Sequence, residues 1–209
     1  MALDAALVAH PPSDEITLRV YGWKPVSLSL GALEPLASIS GDWLARVPIL
    51  RRPTSGGVLF HDENEITFCL GGNVDTNTLA PGDLECVCQR AVRAIQSELT
   101  DPNRTPDSID SFLRVAQKRD QESWLLQGFI APSGHCGKMD LPDRVSGPAR
   151  LPAQELIEAR QQKMQLLAGA LGRELEVAWV EEAAKPDEIL RANRLLAHQF
   201  GSLSWLRRR

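Results

Sequence analysis

The sequence has no excess of basic over acidic residues. Among its 209 residues, 27 are Asp or Glu and 23 are Lys or Arg, which gives a formal net charge of −4. Domains that bind nucleic acids usually carry a marked basic excess, and the short tail Arg207–Arg209 does not provide one. The charge balance therefore argues against a general nucleic-acid-binding protein, and we expect no nucleic-acid partner.

Long apolar runs are also lacking. No stretch of the sequence approaches the roughly 20 consecutive apolar residues that a transmembrane helix needs, so we expect no membrane partner. The N-terminus, residues 1–4, has no basic region and carries an early acid at Asp4. This pattern is not that of a signal peptide, and we expect none.

Cysteine is scarce: the four in the chain are Cys69, Cys86, Cys88 and Cys136. Four cysteines in a chain of this length do not make a disulfide framework, and without an export signal we expect reduced thiols in a cytoplasmic protein. Cys86 and Cys88 are two residues apart on a predicted helix, so they should face different directions. Cys69 alternates with apolar neighbours and is expected to be a small buried residue. We predict no metal site.

Helical and strand-like patterns mix along the chain without strict alternation and without an internal repeat. Period-two alternation predicts strands at residues 16–21, 26–30, 47–52, 58–60, 66–70, 111–117, 124–130 and 174–180. Helical periodicity and stop signals predict helices at residues 2–10, 33–45, 83–99, 154–171 and 186–200. This mixture predicts an α+β fold with a mixed, largely antiparallel sheet flanked by helices.

The chain is long enough for one large domain or two small ones. Residues 71–78, 100–110 and 131–152 are rich in polar residues, Gly or Pro, and we expect loops there. We predict a core domain over residues 1–150. Residues 151–209 are expected to complete the same domain or to form a small subdomain.

The stretch from Arg51 to Gly57, Arg-Arg-Pro-Thr-Ser-Gly-Gly, joins two short apolar runs. Glycine lets backbone N–H groups approach and face an anion. Two arginines beside such a turn add planar, permanently charged donors that suit carboxylate or phosphate. The same residues would also suit a β-hairpin with a basic edge, because short motifs are weakly specific. Chemistry alone leaves both interpretations open.

Five blocks, in order, resemble the lipoate–protein ligase A and octanoyltransferase branch of the biotin/lipoate protein ligase superfamily. MALDAAL (1–7) is similar to that family's first-helix motif, and LRVYGWKPVSLSLG (18–31) to its next block. VPILRRPTSGGVLFHDENEITFCL (47–70) resembles its hallmark Arg-Arg-x-Ser/Thr-Gly-Gly-x-x-x-x-His-Asp. RVAQKRDQESWLLQGFI (114–130) is similar to its Ala-Gln-Arg-Arg strand pair, and KPDEILRANRLLAHQFGSLSWLRRR (185–209) to its closing helix and tail.

The resemblance implies a class II aminoacyl-tRNA synthetase-like catalytic domain with a pocket for lipoate or octanoate over a sheet. Ligase-type members activate lipoate with ATP, and with Mg²⁺, before passing the acyl group to one lysine of a lipoyl-domain protein. Other donors and partners that it implies are acyl carrier protein and a partner ligase subunit. The biotin branch uses a different arginine- and glycine-rich loop, so we expect no biotin transfer.

The resemblance also assigns binding roles. Trp23 is expected to wall the aliphatic chain, and Arg52 to pair with carboxylate or phosphate. His61 is expected to hydrogen-bond the nucleotide or to support the loop. The acyl carbonyl or the adenylate phosphate is expected to be cradled by Thr54, Ser55, Gly56 and Gly57.

One departure concerns the chemistry directly: Ser111 stands where the family has its catalytic lysine. Loss of one such preorganised donor typically costs about 10²–10³ in rate. Lys118, Lys138 or a partner chain are alternatives for supplying the missing charge. The segment 100–110 is shorter than usual and has no cysteine in place of the nucleophile of cysteine-dependent octanoyltransferases.

Cys136 lies between a histidine and a lysine, which could lower its pKa. It is either a relocated nucleophile or a loop cysteine with no role. Two hypotheses follow for the whole chain. One is an acyl-protein ligase or transferase of the lipoate–octanoate type. The other is a catalytically silent relative that binds an acyl ligand or assists a partner ligase.

Overall fold

The computed structural model describes residues 1–9, 15–73, 81–99, 113–131 and 153–207. The strands in these ranges are β1 (Thr17–Tyr21), β2 (Ser27–Leu30), β3 (Ile49–Arg51), β4 (Val58–His61), β5 (Ile66–Asn73), β6 (Leu113–Arg119) and β7 (Ser123–Ile130). The helices are α1 (Ala2–Ala9), α2 (Gly41–Leu44), α3 (Pro81–Ala94), α4 (Gln96–Leu99), α5 (Ala153–Leu175), α6 (Pro186–Leu195) and α7 (Leu203–Leu206).

The larger sheet has the strand order β1-β5-β7-β6, and every neighbouring pair in it is antiparallel. Along its strands, alternate residues point to opposite faces. One face carries Phe68, Leu126 and Ile130, which belong to the main core together with apolar residues of α3 and α5. The opposite face carries Gln127 and Phe129, and it lies towards α1 and the small sheet.

The smaller sheet has the strand order β3-β2-β4, with β2 parallel to β3 and antiparallel to β4. Its outer face packs Leu28 and Leu30 against Ile39 and Trp43 in a second apolar cluster. The predicted mixed, largely antiparallel α+β architecture is confirmed. The β-hairpin interpretation of residues 51–57 is wrong, because β3 and β4 lie on opposite sides of β2.

Two predicted elements are wrong, the helix over residues 33–45 and the strand over residues 174–180. A helix over 33–45 does not form; a 3₁₀ turn, Leu36–Ser38, follows Pro35, and α2 begins only at Gly41. Ile39 is extended between them and buried in the second cluster, which interrupts the helix.

A strand over 174–180 does not form either, because α5 continues to Leu175. Glu176 then takes a left-handed conformation with φ 57°, and the amide of Val177 donates to the carbonyl of Gly172. This is a Schellman ending, after which the Trp179 indole bonds the Ala168 carbonyl. The chain therefore folds back on its own helix instead of pairing with a sheet.

The loop predicted at 71–78 begins later than expected, since β5 runs to Asn73. Gly71 and Gly72 pair with Leu125 and Trp124 of β7, so cross-strand pairing outweighs the turn signal of two glycines. The predicted domain boundary near residue 150 lies outside the described residues, and that division stays a prediction. No helix within the described ranges is long and apolar enough to cross a membrane.

Candidate functional site

The Arg52–Gly57 loop runs across the end of β2, between β3 and β4. The amide of Arg52 donates to the Leu30 carbonyl at 2.9 Å, and the Thr54 carbonyl accepts from the amide of Ala32 at 2.8 Å. The Gly57 carbonyl accepts from the amide of Gly31 at 3.1 Å. The loop is thus tied to the strand it crosses by backbone hydrogen bonds.

The buried guanidinium of Arg52 donates hydrogen bonds to carbonyls of this loop. Its Nη1 donates to the carbonyl of Ser29 at 3.0 Å and to the Ser29 hydroxyl at 3.1 Å. Its Nη2 donates to the carbonyls of Ser55 and Gly57, both at 2.9 Å. Burial lowers the pKa of Arg52 to about 10, so the guanidinium remains charged at neutral pH. Its role towards a carboxylate or phosphate stays a prediction; in this structure the cation organises its own loop.

Arg51 points away from the loop towards the C-terminal tail. Its guanidinium donates to the carbonyls of Gly31 and Glu34 and to those of Trp205 and Leu206. The Trp205 indole in turn donates to the Arg51 carbonyl at 3.1 Å. The two neighbouring arginines, which the sequence presents as one basic pair, therefore perform different structural tasks.

Thr54 fastens the loop to the large sheet. Its buried hydroxyl donates to Gln127 Oε1 at 2.6 Å, and Gln127 Nε2 donates to Asp4 Oδ2 at 2.8 Å. Asp4 also accepts from the Tyr21 hydroxyl at 2.5 Å. Burial first, and then the charge of Asp4, raises the pKa of Tyr21 well above its ordinary value. A continuous hydrogen-bond chain thus joins the loop, β7, α1 and β1.

The other loop residues are more open. Ser55 is exposed, and both its amide and its hydroxyl donate to the Gln117 carbonyl on β6. Gly56 has φ +97°, a conformation that favours glycine. Gly56 and Gly57 are exposed, so the glycine part of the predicted cradle lies at the surface, directly above Arg52 Nη2.

Trp23 and His61 lie together, and Ser29 joins His61 to Arg52 of the loop. Their rings stack with centroids 3.9 Å apart and an interplanar angle of 11°. The Trp23 indole donates to Thr67 Oγ1 at 2.7 Å, and that hydroxyl donates to Glu65 Oε1 at 2.7 Å. The structure therefore brings both predicted residues to one place, the space between the two sheets, where Phe129 also approaches His61.

Sequence reasoning missed several polar residues of this region, namely Ser29, Glu65, Thr67 and Gln127. Ser29 bonds His61 Nε2 at 2.6 Å, and Glu65 bonds His61 Nδ1 at 2.8 Å. All four side chains are buried. For Ser29, Thr67 and Gln127 the available signal was a polar residue within an otherwise apolar strand, since buried polar groups need partners; Glu65 precedes β5.

Of the candidate catalytic residues, the structure describes only Lys118. Ser111 lies outside the described residues, as do Lys138 and Cys136. Lys118 is on β6, opposite Leu125, and therefore on the same sheet face as Gln127. Its side chain is 45% exposed, with Nζ 4.0 Å from Asp120 Oδ2. A catalytic role for Ser111 or Lys118 stays a prediction.

Two cysteine predictions are confirmed: Cys69 is buried, and Cys86 and Cys88 face different directions. Cys69 and Cys88 are buried and Cys86 is exposed, and all three are free thiols. Burial raises the pKa of Cys88 to about 12, which makes it unreactive at neutral pH. Among the described residues, no group of three or more His, Cys, Asp or Glu could hold a metal ion.

Comparison with known proteins adds information on the fold. No family model matches the sequence, and no curated protein matches it significantly. Among solved structures, a lipoate–protein ligase A bound with ATP superposes with a TM-score of 0.70 at 15% identity, covering 98% of this chain and 91% of that chain. Protein Ta0514 of T. acidophilum with bound lipoic acid gives 0.69 at 16% identity, with coverages of 98% and 91%.

A third similar structure comes from an archaeal lipoylation system, a bi-partite lipoate protein ligase and its E2 lipoyl domain from T. acidophilum. It superposes with a TM-score of 0.69 at 15% identity, covering 98% of this chain and 89% of that chain. Identities this low establish the fold and not the activity. The chain therefore has the fold of the lipoate–protein ligases.

Proposed function

We propose that this protein is an acyl-protein ligase or transferase that delivers lipoate or octanoate to a lysine of a lipoyl-domain protein. The observation that carries the proposal is that Ser29 joins Arg52 of the Arg52–Gly57 loop to the stacked pair Trp23 and His61, on a fold shared with structures that hold ATP or lipoic acid. A flat aromatic wall suits an aliphatic chain, and the neighbouring loop would supply charge and backbone donors for the polar end.

The donor and the partners are part of the same proposal. In a ligase reaction Mg²⁺·ATP is a substrate that activates the acyl carboxylate, and in a transferase reaction an acyl carrier protein thioester replaces it. The archaeal structure pairs a two-part ligase with a lipoyl domain, which supports a lipoyl-domain acceptor and a partner ligase subunit for this chain. We also propose a cytoplasmic location, in keeping with the free thiols of Cys69 and Cys88.

A second candidate function is that of a silent relative that binds an acyl ligand or assists a partner ligase. One observation favours it: all three Arg52 nitrogens donate to groups of this chain, namely Ser29, Ser55 and Gly57. A ligand that recruits Arg52 must replace part of this network. Ser111, at the position of the family lysine, is the second argument for this alternative.

The deciding experiment uses an apo lipoyl domain as acceptor and mass spectrometry as readout. The purified protein is given Mg²⁺·ATP with lipoate or octanoate, or octanoyl acyl carrier protein. We expect one acyl group on the lipoyl domain, lost in Arg52→Ala and retained in Arg46→Ala, because Arg46 is exposed on the approach to β3. Lipoate binding without transfer from any donor establishes the silent alternative, and absence of both rejects the two together.

We propose that Lys118 supplies the positive charge that the catalytic lysine of the family would otherwise provide. Lys118→Met is then expected to lower transfer by about 10²–10³. The free energy of unfolding should hardly change, because the side chain is nearly half exposed. Lys24→Met, at another exposed lysine, is the control. Ser111→Lys should raise the rate if the missing lysine limits it.

A further inference from the structure

Three buried side chains between the sheets form a hydrogen-bonded series that ends at a hydroxyl. Ser29 Oγ lies 2.6 Å from His61 Nε2. His61 Nδ1 lies 2.8 and 3.0 Å from the two oxygens of Glu65. Because Nδ1–H donates to the carboxylate, Nε2 is left as the acceptor for the serine hydroxyl. This is the order nucleophile, base, orienting acid that activates serine in acyl transfer.

The surroundings of Ser29 complete this arrangement. Arg52 Nη1 lies 3.1 Å from Ser29 Oγ, so a permanent positive charge stands beside the attacking hydroxyl, close to where the carbonyl oxygen of the tetrahedral intermediate would become negative. Trp23 stacks on the His61 ring, and Thr67 bonds the same carboxylate as His61 does. The imidazole is thus held on its face and at both nitrogens, which leaves it a single orientation.

We propose that Ser29 is a nucleophile that accepts the acyl group as an ester, with His61 as its general base and Glu65 as the orienting residue. This proposal rests on the proposed function and gives it a two-step course. It also provides a nucleophile where the sequence departs from the family pattern, since residues 100–111 contain neither a lysine nor a cysteine. The donor would be an acyl thioester of medium chain length.

In the first step Ser29 Oγ attacks the thioester carbonyl carbon and its proton moves to His61 Nε2. The C–S bond breaks, the sulfur takes that proton and leaves as a thiol, and the acyl group stays on Oγ. In the second step the neutral amine of the acceptor lysine attacks the ester carbonyl, and an amine proton moves to His61. The C–Oγ bond breaks, Oγ recovers the proton, and the product is an amide.

Access to Ser29 is controlled by the loop. Ser29 is fully buried, and its hydroxyl bonds Arg52, which in turn donates to the carbonyls of Ser55 and Gly57. Ser55, Gly56 and Gly57 are themselves exposed, so the side chain of Arg52 connects the buried hydroxyl to a loop at the surface. An incoming carbonyl that takes over the Arg52 hydrogen bonds would release the loop from the guanidinium and uncover Oγ.

The test is acylation of the protein itself by octanoyl-pantetheine without acceptor, quenched in acid and read by intact mass and peptide mapping. We expect one octanoyl group on Ser29, absent in Ser29→Ala and retained in Ser27→Ala. Ser27 is the matched control because it is buried on the same strand, with its hydroxyl bonded to the Pro25 carbonyl. Glu65→Gln should slow adduct formation by at least about tenfold.

A folding defect is distinguished by Ser29→Cys, which keeps a nucleophile at the site and should give a hydroxylamine-sensitive thioester. If the lipoyl domain is acylated while the wild type carries no acyl-Ser29 and Ser29→Ala remains active, the serine proposal is wrong and the proposed function stands. An adduct on another residue also overturns it. If neither the protein nor the lipoyl domain is acylated by any donor, the proposed function fails as well.

Discussion

Gly31 and Gly56 are in such close backbone contact that a Cβ at position 31 would overlap the Gly56 carbonyl. Gly31 directly follows β2, and Gly56 lies in the Arg52–Gly57 loop. The loop can therefore cross the end of β2 only because position 31 has no side chain. Gly31→Ala should lower the free energy of unfolding by at least about 2–3 kcal/mol, since the clash is with backbone. Urea denaturation measures this.

The control for that substitution is Gly57→Ala, because a Cβ there would meet nothing within 4 Å. Its free energy of unfolding should stay within about 1 kcal/mol of the wild type. Equal losses of unfolding free energy in the two variants would show that the backbone contact between Gly31 and Gly56 does not require glycine at position 31.

Thr54 is the buried link between the loop and the large sheet. Thr54→Val keeps the shape and removes the hydroxyl, which leaves Gln127 Oε1 without this donor. A buried polar group that loses its partner typically costs about 1–3 kcal/mol, and we expect a loss of that size in chemical denaturation. The exposed neighbour Ser55, changed to Ala, should cost less than about 0.5 kcal/mol. Similar values for both would contradict the assigned role of Thr54.

Arg51 should control the attachment of the C-terminal tail. Its guanidinium donates to the carbonyls of Trp205 and Leu206, and hydrogen bonds from charged donors to buried groups contribute about 1.5–3 kcal/mol each. In Arg51→Ala we expect amide hydrogen exchange across residues 203–207 to accelerate by at least about tenfold, with Arg46→Ala as the exposed control. Unchanged exchange would mean that other contacts hold the tail.

Two buried thiols should make stability fall at alkaline pH. Burial raises the pKa of Cys69 well above its ordinary value and that of Cys88 to about 12. Above about pH 8.5 the unfolded chain loses these protons while the folded chain keeps them. The unfolded state then binds fewer protons, so the free energy of unfolding decreases, by up to about 1.4 kcal/mol per pH unit for each thiol.

Urea denaturation between pH 7 and 9.5 checks this dependence. Cys88→Ala should flatten the decline relative to its own value at pH 7, because one of the two buried thiols is removed. Cys86→Ala should leave the slope unchanged, because Cys86 is exposed on the same helix. A decline that is equally steep in both variants would assign the pH dependence to other groups.

Local patterns predicted much of the fold. Five elements form within one or two residues of their predicted bounds, namely α1, β1, β2, β6 and β7. Their signals, alternating apolar residues and Pro or Gly stops, lie in neighbouring residues of the sequence. The errors fall where distant contacts decide. Gly71 and Gly72 are strand because β7 pairs with them, and residues 177–180 remain unpaired because Trp179 bonds α5.

For the site, the sequence by itself determined which residues could form an anion-binding loop and an aromatic wall, since Arg, Gly and Trp have those properties in any fold. Only the tertiary structure decided that Arg51 bonds the tail while Arg52 organises the loop. It also decided that Ser29 and Glu65 meet on the two nitrogens of His61. Ser29 reaches His61 because β2 and β4 pair in the small sheet, a contact between residues 32 apart that no local pattern contains, whereas His61 and Glu65 are only four residues apart.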